Sequence, residues 1–453
     1  MAKTQEFWSG QTGFVLATIG AAVGLGSIWK FPYEVGVNGG GAFVFFYLIG
    51  IVLIVFPLML VEFAIGRRGR ADAAYAIANV AADVGASRLW TLCGLLGVAA
   101  AFVILSFYSV IGGWAISYAV DTTLYGLAGV DARVAQSRFD SLLAAPLKMA
   151  TYHFIYMAAA AFIVARGISR GIEEACKVLM PILIVLIIGL GLFSMTRGDL
   201  AATMRFLFRV DTAHLSLRAA LDALGLGFFS IGVGLSLMIT YAAYAGPDVN
   251  LWKVAFITIV GDTAVSIAAG LTIFPIVFAE GLDPASGPGL MFVTLPLAFA
   301  QIPGGNYAAI AFFLLLIVAA LASGISMLEM PVAVLMRRGW SRNLATTMSA
   351  IACWLCGLAT VLSFNHWAAW YPLAAIPLFA EATVFYLLDH LTSNIMLPLG
   401  GFALALFAGW KLPAPLLAEE LGVGLWTARI LQSLLRYIVP TCVAILALFP
   451  LWT

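Results

Sequence analysis

Long apolar runs dominate the pattern of hydrophobic and polar positions along this chain. Eleven of them are long enough to cross a membrane, since a hydrocarbon layer of about 30 Å takes about 20 helical residues. They do not alternate in polarity as barrel strands do, so the pattern predicts helices. These predicted spans lie near 13–35, 42–66, 88–124, 149–165, 172–195, 218–245, 253–278, 306–336, 343–363, 384–410 and 427–451.

Basic residues in the connections predict how the spans are oriented. If the spans alternate in direction, the basic residues after every second span fall on one side, and basic residues gather on the cytoplasmic side. That side is predicted to be the cytoplasm, and an odd number of spans then puts the amino terminus inside and the carboxyl terminus outside. The first ten residues show no cleavable signal, so the first span is expected to be its own targeting signal. The residues used are Arg67, Arg68, Arg70, Arg88, Arg166, Arg170, Lys253, Arg337, Arg338 and Arg342.

Composition gives the class of protein. With 453 residues, 63% of them hydrophobic and only 10% charged, the chain is too apolar for a water-soluble core. We expect a multi-pass integral membrane protein. The net charge of +1 without a basic run argues against nucleic-acid binding.

Enzyme chemistry finds little support in the motifs. The four histidines lack a spacing such as HExxH, and the five cysteines include a CWLC run that no neighbouring ligand completes as a zinc site. We therefore predict packed thiols and no enzyme activity.

Glycines interrupt two of the predicted spans. The runs GAAVGLGSIW, from residue 20, and GFFSIGVGLS, from residue 227, each carry three glycines inside an apolar segment. Close helix packing is one explanation. Paired interruptions in corresponding spans are also typical of transporters built from inverted repeats, in which unwound backbone faces a ligand or ion. The pattern therefore favours a binding site at the interruptions.

Several motifs resemble the neurotransmitter:sodium symporter family, and in particular its bacterial eleven-span amino-acid transporters. They are GAAVGLGSIWKFPY, NGGGAF, VEFAIGRRGR, FYSVIGGW, ITYAAY and LLRYIVP, in family order along the chain. The resemblance implies an all-α integral membrane protein of the LeuT fold, with unwound first and sixth spans. It implies one transporter domain over 1–453, with inverted five-helix repeats near 10–196 and 216–410 and an extra span at 427–451.

The resemblance also implies a substrate site. A substrate carboxylate would meet Leu25, Gly26 and Tyr108, and Gly24 stands where the monoamine carriers of the family have aspartate, which favours an amino acid. Because the implied pocket has no charge, the substrate side chain should be neutral and apolar. Gly232 and Gly324 replace frequent serines and should leave room for a branched or aromatic group. The other implied pocket residues are Ala22, Ile104, Phe229, Ser230, Leu235, Ser323 and Met327.

One or two sodium ions follow from the same resemblance. The first implied site has Ala22, Ser27, Ser230 and Asp262, and the second has Gly20, Val23, Ala319 and Ser323. Ser27 and Asp262 replace asparagines, and Ala322 removes an oxygen ligand. An intramembrane carboxylate is a functional-site candidate by default, and a fixed charge there indicates that chloride is not required. A sodium-independent or proton-coupled carrier stays an alternative.

Gates are the last implied feature. Lys30 and Asp389 occupy the positions of the outer ion pair, although lysine lacks the fork of arginine. Gln5 stands where the family has arginine at the inner gate, and Glu6 with Arg338 would restore a pair of reversed polarity.

The fifth span carries a further motif. Gly171 and Pro181 have the spacing that the bacterial relatives use for unwinding, with a plain kinked helix as the alternative.

These features together predict uptake of neutral hydrophobic amino acids by sodium-coupled alternating access. A transporter-like sensor that binds its ligand without moving it is the alternative from another class. The preferred amino acid, the sodium stoichiometry and the oligomeric state stay open.

Overall fold

The computed structural model of the protein describes residues 6–212, 215–284 and 289–448, and its regular structure is helical. Each predicted span falls on a helix or a broken helix, within a few residues of the predicted ends. The predicted residues Gln5 and 449–451 lie outside the described part. The spans are Gln11–Ala22 with Gly26–Val37, Gly41–Gly69, Arg88–Tyr125, Pro146–Ala165, Ile168–Arg197, Leu217–Ile231 with Leu237–Ala243, Leu251–Ala279, Gly305–Arg337, Arg342–Ser363, Val384–Trp410 and Leu425–Leu448.

Membrane-crossing length can be checked helix by helix. Within the described ranges, nine helices are long and apolar enough to cross a membrane, and the first span makes a tenth as a pair bent by 50°. The sixth span is divided by residues 232–236 into two shorter helices. All eleven apolar segments of the sequence are therefore helical, and the two with central glycines are the broken ones.

Short helices in the connections were not predicted, because they are too short to span and several are amphipathic. Three of them begin at side-chain caps: Asp72, Asp131 and Asp199 accept hydrogen bonds from the Tyr75, Val134 and Ala202 amides at 3.4, 2.8 and 2.8 Å. Such caps satisfy amides that have no partner in the first helical turn. These helices are Ala73–Asp83, Ala132–Leu143, Leu200–Phe208, Leu290–Ala300 and Ala414–Leu421.

The first span lies inside the helix bundle. Its first half packs against the fifth, seventh and eighth spans, and the third span packs along the eighth. Small residues permit this close approach. A β-carbon added to Gly97 of the third span would collide with the Leu235 carbonyl in the sixth-span break. The break is thus enclosed by protein, as exposed backbone in a membrane must be.

The two breaks have different backbone geometry. In the first span Val23 is extended, with φ −73° and ψ 107°. In the sixth, Gly232 and Gly234 take φ of 73° and 86°, which costs glycine little. A β-carbon on Gly234 would also lie 2.6 Å from the Leu397 carbonyl oxygen. Helix packing alone therefore does not explain the glycine clusters, because both interrupt their helices.

Candidate substrate and ion site

The break in the first span faces Tyr108 of the third span. The Leu25 amide donates a hydrogen bond to the buried Tyr108 hydroxyl at 3.0 Å. A β-carbon on Gly24 would lie 2.7 Å from that hydroxyl and 3.1 Å from the Ser323 hydroxyl. Glycine at 24 therefore lets the backbone approach both hydroxyls, and an acidic side chain has no space there.

A cavity opens between the two breaks and the third and eighth spans. It brings together eleven of the thirteen predicted substrate residues, and none of its lining side chains carries a charge. Ala21 and Leu237 line it as well, although the sequence did not single them out. The lining residues are Ala21, Ala22, Gly24, Gly26, Ile104, Tyr108, Phe229, Ser230, Gly232, Leu235, Leu237, Ser323 and Met327.

Leu25 and Gly324 lie outside this lining. Leu25 is buried and contributes its amide to Tyr108. At Gly324 the space for a side chain is filled by the hydroxyl of Tyr156, which donates a hydrogen bond to the Ala320 carbonyl at 2.5 Å. The expectation that Gly324 leaves room for a substrate is therefore corrected, because a fourth-span side chain already occupies that room.

Asp262 lies next to the cavity in a cluster of hydroxyl groups. Its carboxylate accepts hydrogen bonds from Ser27 at 2.5 Å, from Ser230 at 3.2 Å and from Tyr47 at 3.3 Å. Ser27 and Ser230 are themselves 3.0 Å apart through their hydroxyl oxygens. Asp262 is fully buried, so three of the four residues of the first predicted ion set, Ser27, Ser230 and Asp262, meet around one buried carboxylate.

Among the described residues, no basic side chain balances this carboxylate. Within the described part of the chain, neither Lys nor Arg forms an ion pair with Asp262. A buried charge normally needs a partner, and the oxygen groups around Asp262 fit a small hard cation. Tyr47, on the second span, is a member of the cluster that the sequence did not indicate, because a tyrosine in an apolar segment is usually a packing residue.

The second predicted ion set has a more apolar neighbourhood. A β-carbon on Gly20 would lie 3.3 Å from the Cys176 sulfur, 3.4 Å from the Met180 methyl and 3.5 Å from the Ala322 methyl. The Ser323 hydroxyl lies on the cavity side, close to Gly24. Ala319 is buried, and Val23 ends the first half-helix. The role of this second set stays a prediction.

Glu62 holds the sixth-span break in place. Its buried carboxylate accepts hydrogen bonds from the Gly234 amide at 2.8 Å and the Met238 amide at 3.2 Å. An acid at a helix N-terminus is electrostatically favourable, and here the second half-helix begins at Leu237. Glu62 is therefore a structural cap of the sixth-span break.

Glu6 pairs with Arg342, which corrects the predicted pairing with Arg338. The Arg342 guanidinium donates to Glu6 at 2.9 and 3.1 Å and to the buried Glu329 at 2.8 and 3.1 Å. Tyr244 donates to Glu329 at 3.0 Å. Arg338 follows the end of the eighth span and is exposed, whereas Arg342 begins the ninth span and points into the bundle.

Trp8 and Ser9, close to the first described residue, add further contacts to this network. We call the whole set the amino-terminal latch; it consists of Glu6, Trp8, Ser9, Glu173, Glu329 and Arg342. The Trp8 indole donates to the Tyr241 carbonyl at 2.9 Å. Glu173 accepts hydrogen bonds from the amide and hydroxyl of Ser9. Glu6 also accepts one from the Ile168 amide at 3.0 Å. The latch thus ties the chain start to the fifth, sixth, eighth and ninth spans.

The two residues of the predicted outer gate have separate contacts in the described part of the chain. The Lys30 ammonium lies 4.5 Å from the centre of the Phe229 ring, which lines the cavity. Asp389 accepts a hydrogen bond from Ser393 at 3.0 Å. Over the described ranges, Lys30 and Asp389 form no ion pair with each other. The two predicted outer-gate residues are therefore not joined in this structure.

The fifth span is wound in this structure. Gly171 lies in a wide helical turn, Ile168–Glu173, and Pro181 lies inside the following helix, Glu174–Arg197. A β-carbon on Gly171 would collide with the Ile163 carbonyl. Unwinding between Gly171 and Pro181 accordingly stays a prediction.

The family model and the similar proteins all point to one family of sodium-dependent transporters. Residues 5–131 and 145–432 match the model of the sodium:neurotransmitter symporter family. The chain is 36% identical to the uncharacterized sodium-dependent transporter YhdH of Bacillus subtilis, over 97% of this chain and 96% of that protein. It is 27% identical to the sodium-dependent dopamine transporter of Bos taurus, over 72% of this chain and 53% of that protein.

A solved structure extends the likeness to the fold. The crystal structure of MhsT in complex with L-phenylalanine superposes with a TM-score of 0.88 at 39% identity, over 98% of this chain and 99% of MhsT. The all-helical architecture with broken first and sixth spans is thus the LeuT fold. The chain belongs to the sodium:neurotransmitter symporter family, whose members are secondary transporters and not enzymes.

Proposed function

We propose that the protein couples the inward movement of sodium to the uptake of neutral, apolar amino acids. The observation that carries this proposal is the position of Ser230, which lines the uncharged cavity and also hydrogen-bonds to Asp262. The ion cluster and the substrate cavity therefore have Ser230 in common. Occupation of one site changes the charge and packing that the other site experiences, which is the physical requirement for coupling.

The amino-acid part rests on the first-span break. The second half-helix begins at Gly26, and the N-terminus of a half-helix attracts a carboxylate. The hydroxyl of Tyr108 lies beside it. Gly24 supplies no acid for an amine, so the substrate must bring its own anion. MhsT, crystallised with L-phenylalanine, is consistent with such a substrate.

The apolar part rests on the cavity walls. Ile104, Leu235 and Met327 line the cavity, and an unpaired charge among them would cost several kcal/mol. Tyr156 fills the space behind Gly324, so Gly232 is the position that leaves room for a larger side chain. A pocket of this kind discriminates by about 1–3 kcal/mol per methylene, so several hydrophobic amino acids should compete.

The sodium part rests on Asp262. Its carboxylate and the hydroxyls of Ser27, Ser230 and Tyr47 form an oxygen-only set without a basic partner among the described residues. The ion adds about 2.3 kcal/mol of driving force per 100 mV of membrane potential. Because Asp262 itself supplies the negative charge, chloride is not required. Relatives described as sodium-dependent transporters support this use of sodium.

The alternating-access part rests on the two ends of the path through the cavity, which are the latch on one side and Lys30 on the other. Basic residues such as Arg67, Arg68 and Arg342 lie at the latch end, which we place in the cytoplasm. Sodium and the amino acid would enter past Lys30, the Lys30 end would close, and the latch would then open. Unwinding of the fifth span at Gly171 would accompany that last step. In a bacterial plasma membrane this cycle accumulates the amino acid inside.

A thermal-shift panel tests the proposal. The purified protein is heated with each of the twenty amino acids, in sodium and in potassium at equal ionic strength. Ligand binding raises apparent stability by mass action, so Leu, Ile, Met, Phe or Trp should stabilise the protein in sodium only. Asp262→Asn should remove the sodium effect. Asp222→Asn is the control and should retain the effect, because Asp222 is a partly buried acid outside the cluster.

The other outcomes separate the alternatives. Equal stabilisation in potassium, with a dependence on pH that Asp262→Asn removes, would favour a proton-coupled carrier. Stabilisation by sodium and an amino acid, without accumulation of that amino acid in proteoliposomes under a sodium gradient, would indicate a sensor. A response to charged amino acids alone would contradict the apolar pocket.

A further inference from the structure

An apolar and largely exposed segment joins the ninth and tenth spans. Residues 367–380 read WAAWYPLAAIPLFA and contain no Asp, Glu, Lys or Arg. Trp370, Ile376 and Leu378 are 51%, 45% and 55% exposed. Exposed apolar side chains are ordinary on the face of a membrane span, but this segment lies between the helices Arg342–Ser363 and Val384–Trp410. Such a patch outside the spans marks an interaction surface.

The backbone of this segment forms some of its hydrogen bonds within local turns. Four successive turns are closed by bonds from Trp370 to Trp367, Ala374 to Tyr371, Ile376 to Leu373 and Phe379 to Ile376, at 2.8–3.2 Å. The two prolines, at 372 and 377, have no amide hydrogen. Unpaired backbone groups are what keeps irregular chain out of lipid. The closed turns and the prolines lower that penalty in part, and the hydrated headgroup region can satisfy the remaining backbone groups, which the hydrocarbon core cannot.

Another connection on the same side of the membrane has the opposite chemistry. Six spans separate it from the 367–380 segment, so the two share one side. Its helix Ala132–Leu143 and cap carry exposed Asp131, Arg133 and Asp140. The two connections touch, since the Asn365 side chain donates to the Leu143 carbonyl at 3.0 Å. The contrast is therefore local, with a charged surface beside an uncharged one.

We propose that residues 367–380 lie in the headgroup region of the lipid bilayer, with Trp370, Leu373, Ile376 and Leu378 directed into the acyl boundary. Both ends of the segment continue into membrane-spanning helices, which keep it at the bilayer surface. Trp and Tyr prefer this interface, and the absence of charge removes the reason for the segment to stay in water. The segment is an interfacial anchor for the ninth and tenth spans, and this role does not depend on which substrate is carried.

Spin-label depth measurement tests the anchor on the full-length protein. Cys356 and Cys442, the two native cysteines that are not buried, are first replaced by alanine. Nitroxide is then attached to Leu378→Cys or, separately, Leu373→Cys in nanodiscs of phosphatidylethanolamine and phosphatidylglycerol. Both labels should collide more with oxygen than with a water-soluble nickel chelate, at a depth of about 5–10 Å within the headgroup and acyl boundary.

Ser137→Cys is the matched control, because Ser137 is exposed on the charged connecting helix of the same side. Its label should collide freely with the nickel chelate. The proposal is overturned if the Leu373 and Leu378 labels are as accessible to the chelate as the Ser137 label. It is also overturned if they are shielded from both reagents and give a short distance between labels of two copies, which would assign the surface to a protein partner.

Discussion

The two ends of the transport path differ in how their charges are held. At the latch end, one arginine is held between two carboxylates: Arg342 donates two hydrogen bonds each to Glu6 and to Glu329. At the other end, Lys30 lies over an aromatic ring and is not paired with Asp389 within the described residues. Among the described residues, one end is therefore held by partly buried ion pairs, and the other is not held by a Lys30–Asp389 pair. In the cycle proposed above, this difference lets ligand enter from the Lys30 side.

The difference has an energetic consequence. The Arg342 and Glu329 side chains are 11% and 0% exposed, so opening the latch separates charges with little water around them. Breaking such pairs is costly, since an uncompensated buried charge remains. Closing the Lys30 end forms at best a solvated pair worth about 0.2–1 kcal/mol. The slow and regulated step should thus be opening of the latch, and ligand binding must supply energy for it.

Removing Arg342 is the strongest way to break this asymmetry. Arg342→Ala leaves Glu329 buried without its cation, so we expect a loss of about 3–5 kcal/mol in the stability of the latched state. Thermal unfolding in detergent without substrate measures it. Arg338→Ala is the control, because Arg338 is exposed, and it should change little. Equal effects of the two substitutions would contradict the latch.

Glu6→Gln should have the next largest effect. The amide keeps the shape of Glu6 but weakens its bonds to Arg342 and to the Ile168 amide at the start of the fifth span. Loss of charge-assisted hydrogen bonds costs about 1.5–3 kcal/mol. The fifth span should then open more often, and the buried Cys176 should be alkylated about tenfold faster or more.

Peptide mass spectrometry follows Cys176 separately from the exposed Cys356, which serves as the internal reference. Sodium with a stabilising amino acid should also alter the Cys176 rate in the unmodified chain, because in the proposed cycle ligand binding drives the step that opens the latch. An alkylation rate of Cys176 that neither Glu6→Gln nor ligand changes would argue against coupling between the latch and the fifth span.

Lys30→Arg should have the smallest effect and should make the two ends more alike. A guanidinium presents a fork that fits the Asp389 carboxylate, and an exposed pair adds about 0.2–1 kcal/mol. Release of a bound radiolabelled amino acid should slow by up to about fivefold. Lys30→Gln, which has no charge, should not slow release, and slowing by both variants would remove the ion pair as the explanation.

Much of the fold and the cavity could be predicted from local sequence. Apolar length located the helices, and glycines at mid-span located both breaks, because backbone preferences act within a few residues. Motif resemblance located most of the cavity lining, including Tyr108 and Ser230. The short helices of the connections were not predicted, because the length of an apolar run does not reveal amphipathic segments of fewer than about fifteen residues.

Side-chain partners were harder to predict. Arg338 and Arg342 are four residues apart in one basic connection, and only the turn between the eighth and ninth spans decides which of them points inward. Tyr156 is far from Gly324 in the chain, yet its hydroxyl takes the space that the missing side chain leaves. Tyr47 reaches Asp262 from another span in the same way.

The sequence by itself determined the class of protein, the helical spans and the two interruptions, because these depend on composition and on backbone preferences within one segment. The uncharged lining of the cavity was predicted from the motif resemblance, residue by residue. The tertiary structure alone decided which oxygens surround Asp262, which arginine holds Glu6 and what fills the space at Gly324. Those contacts join residues up to 336 positions apart, and their geometry depends on how whole helices pack, which no periodicity within a segment can specify.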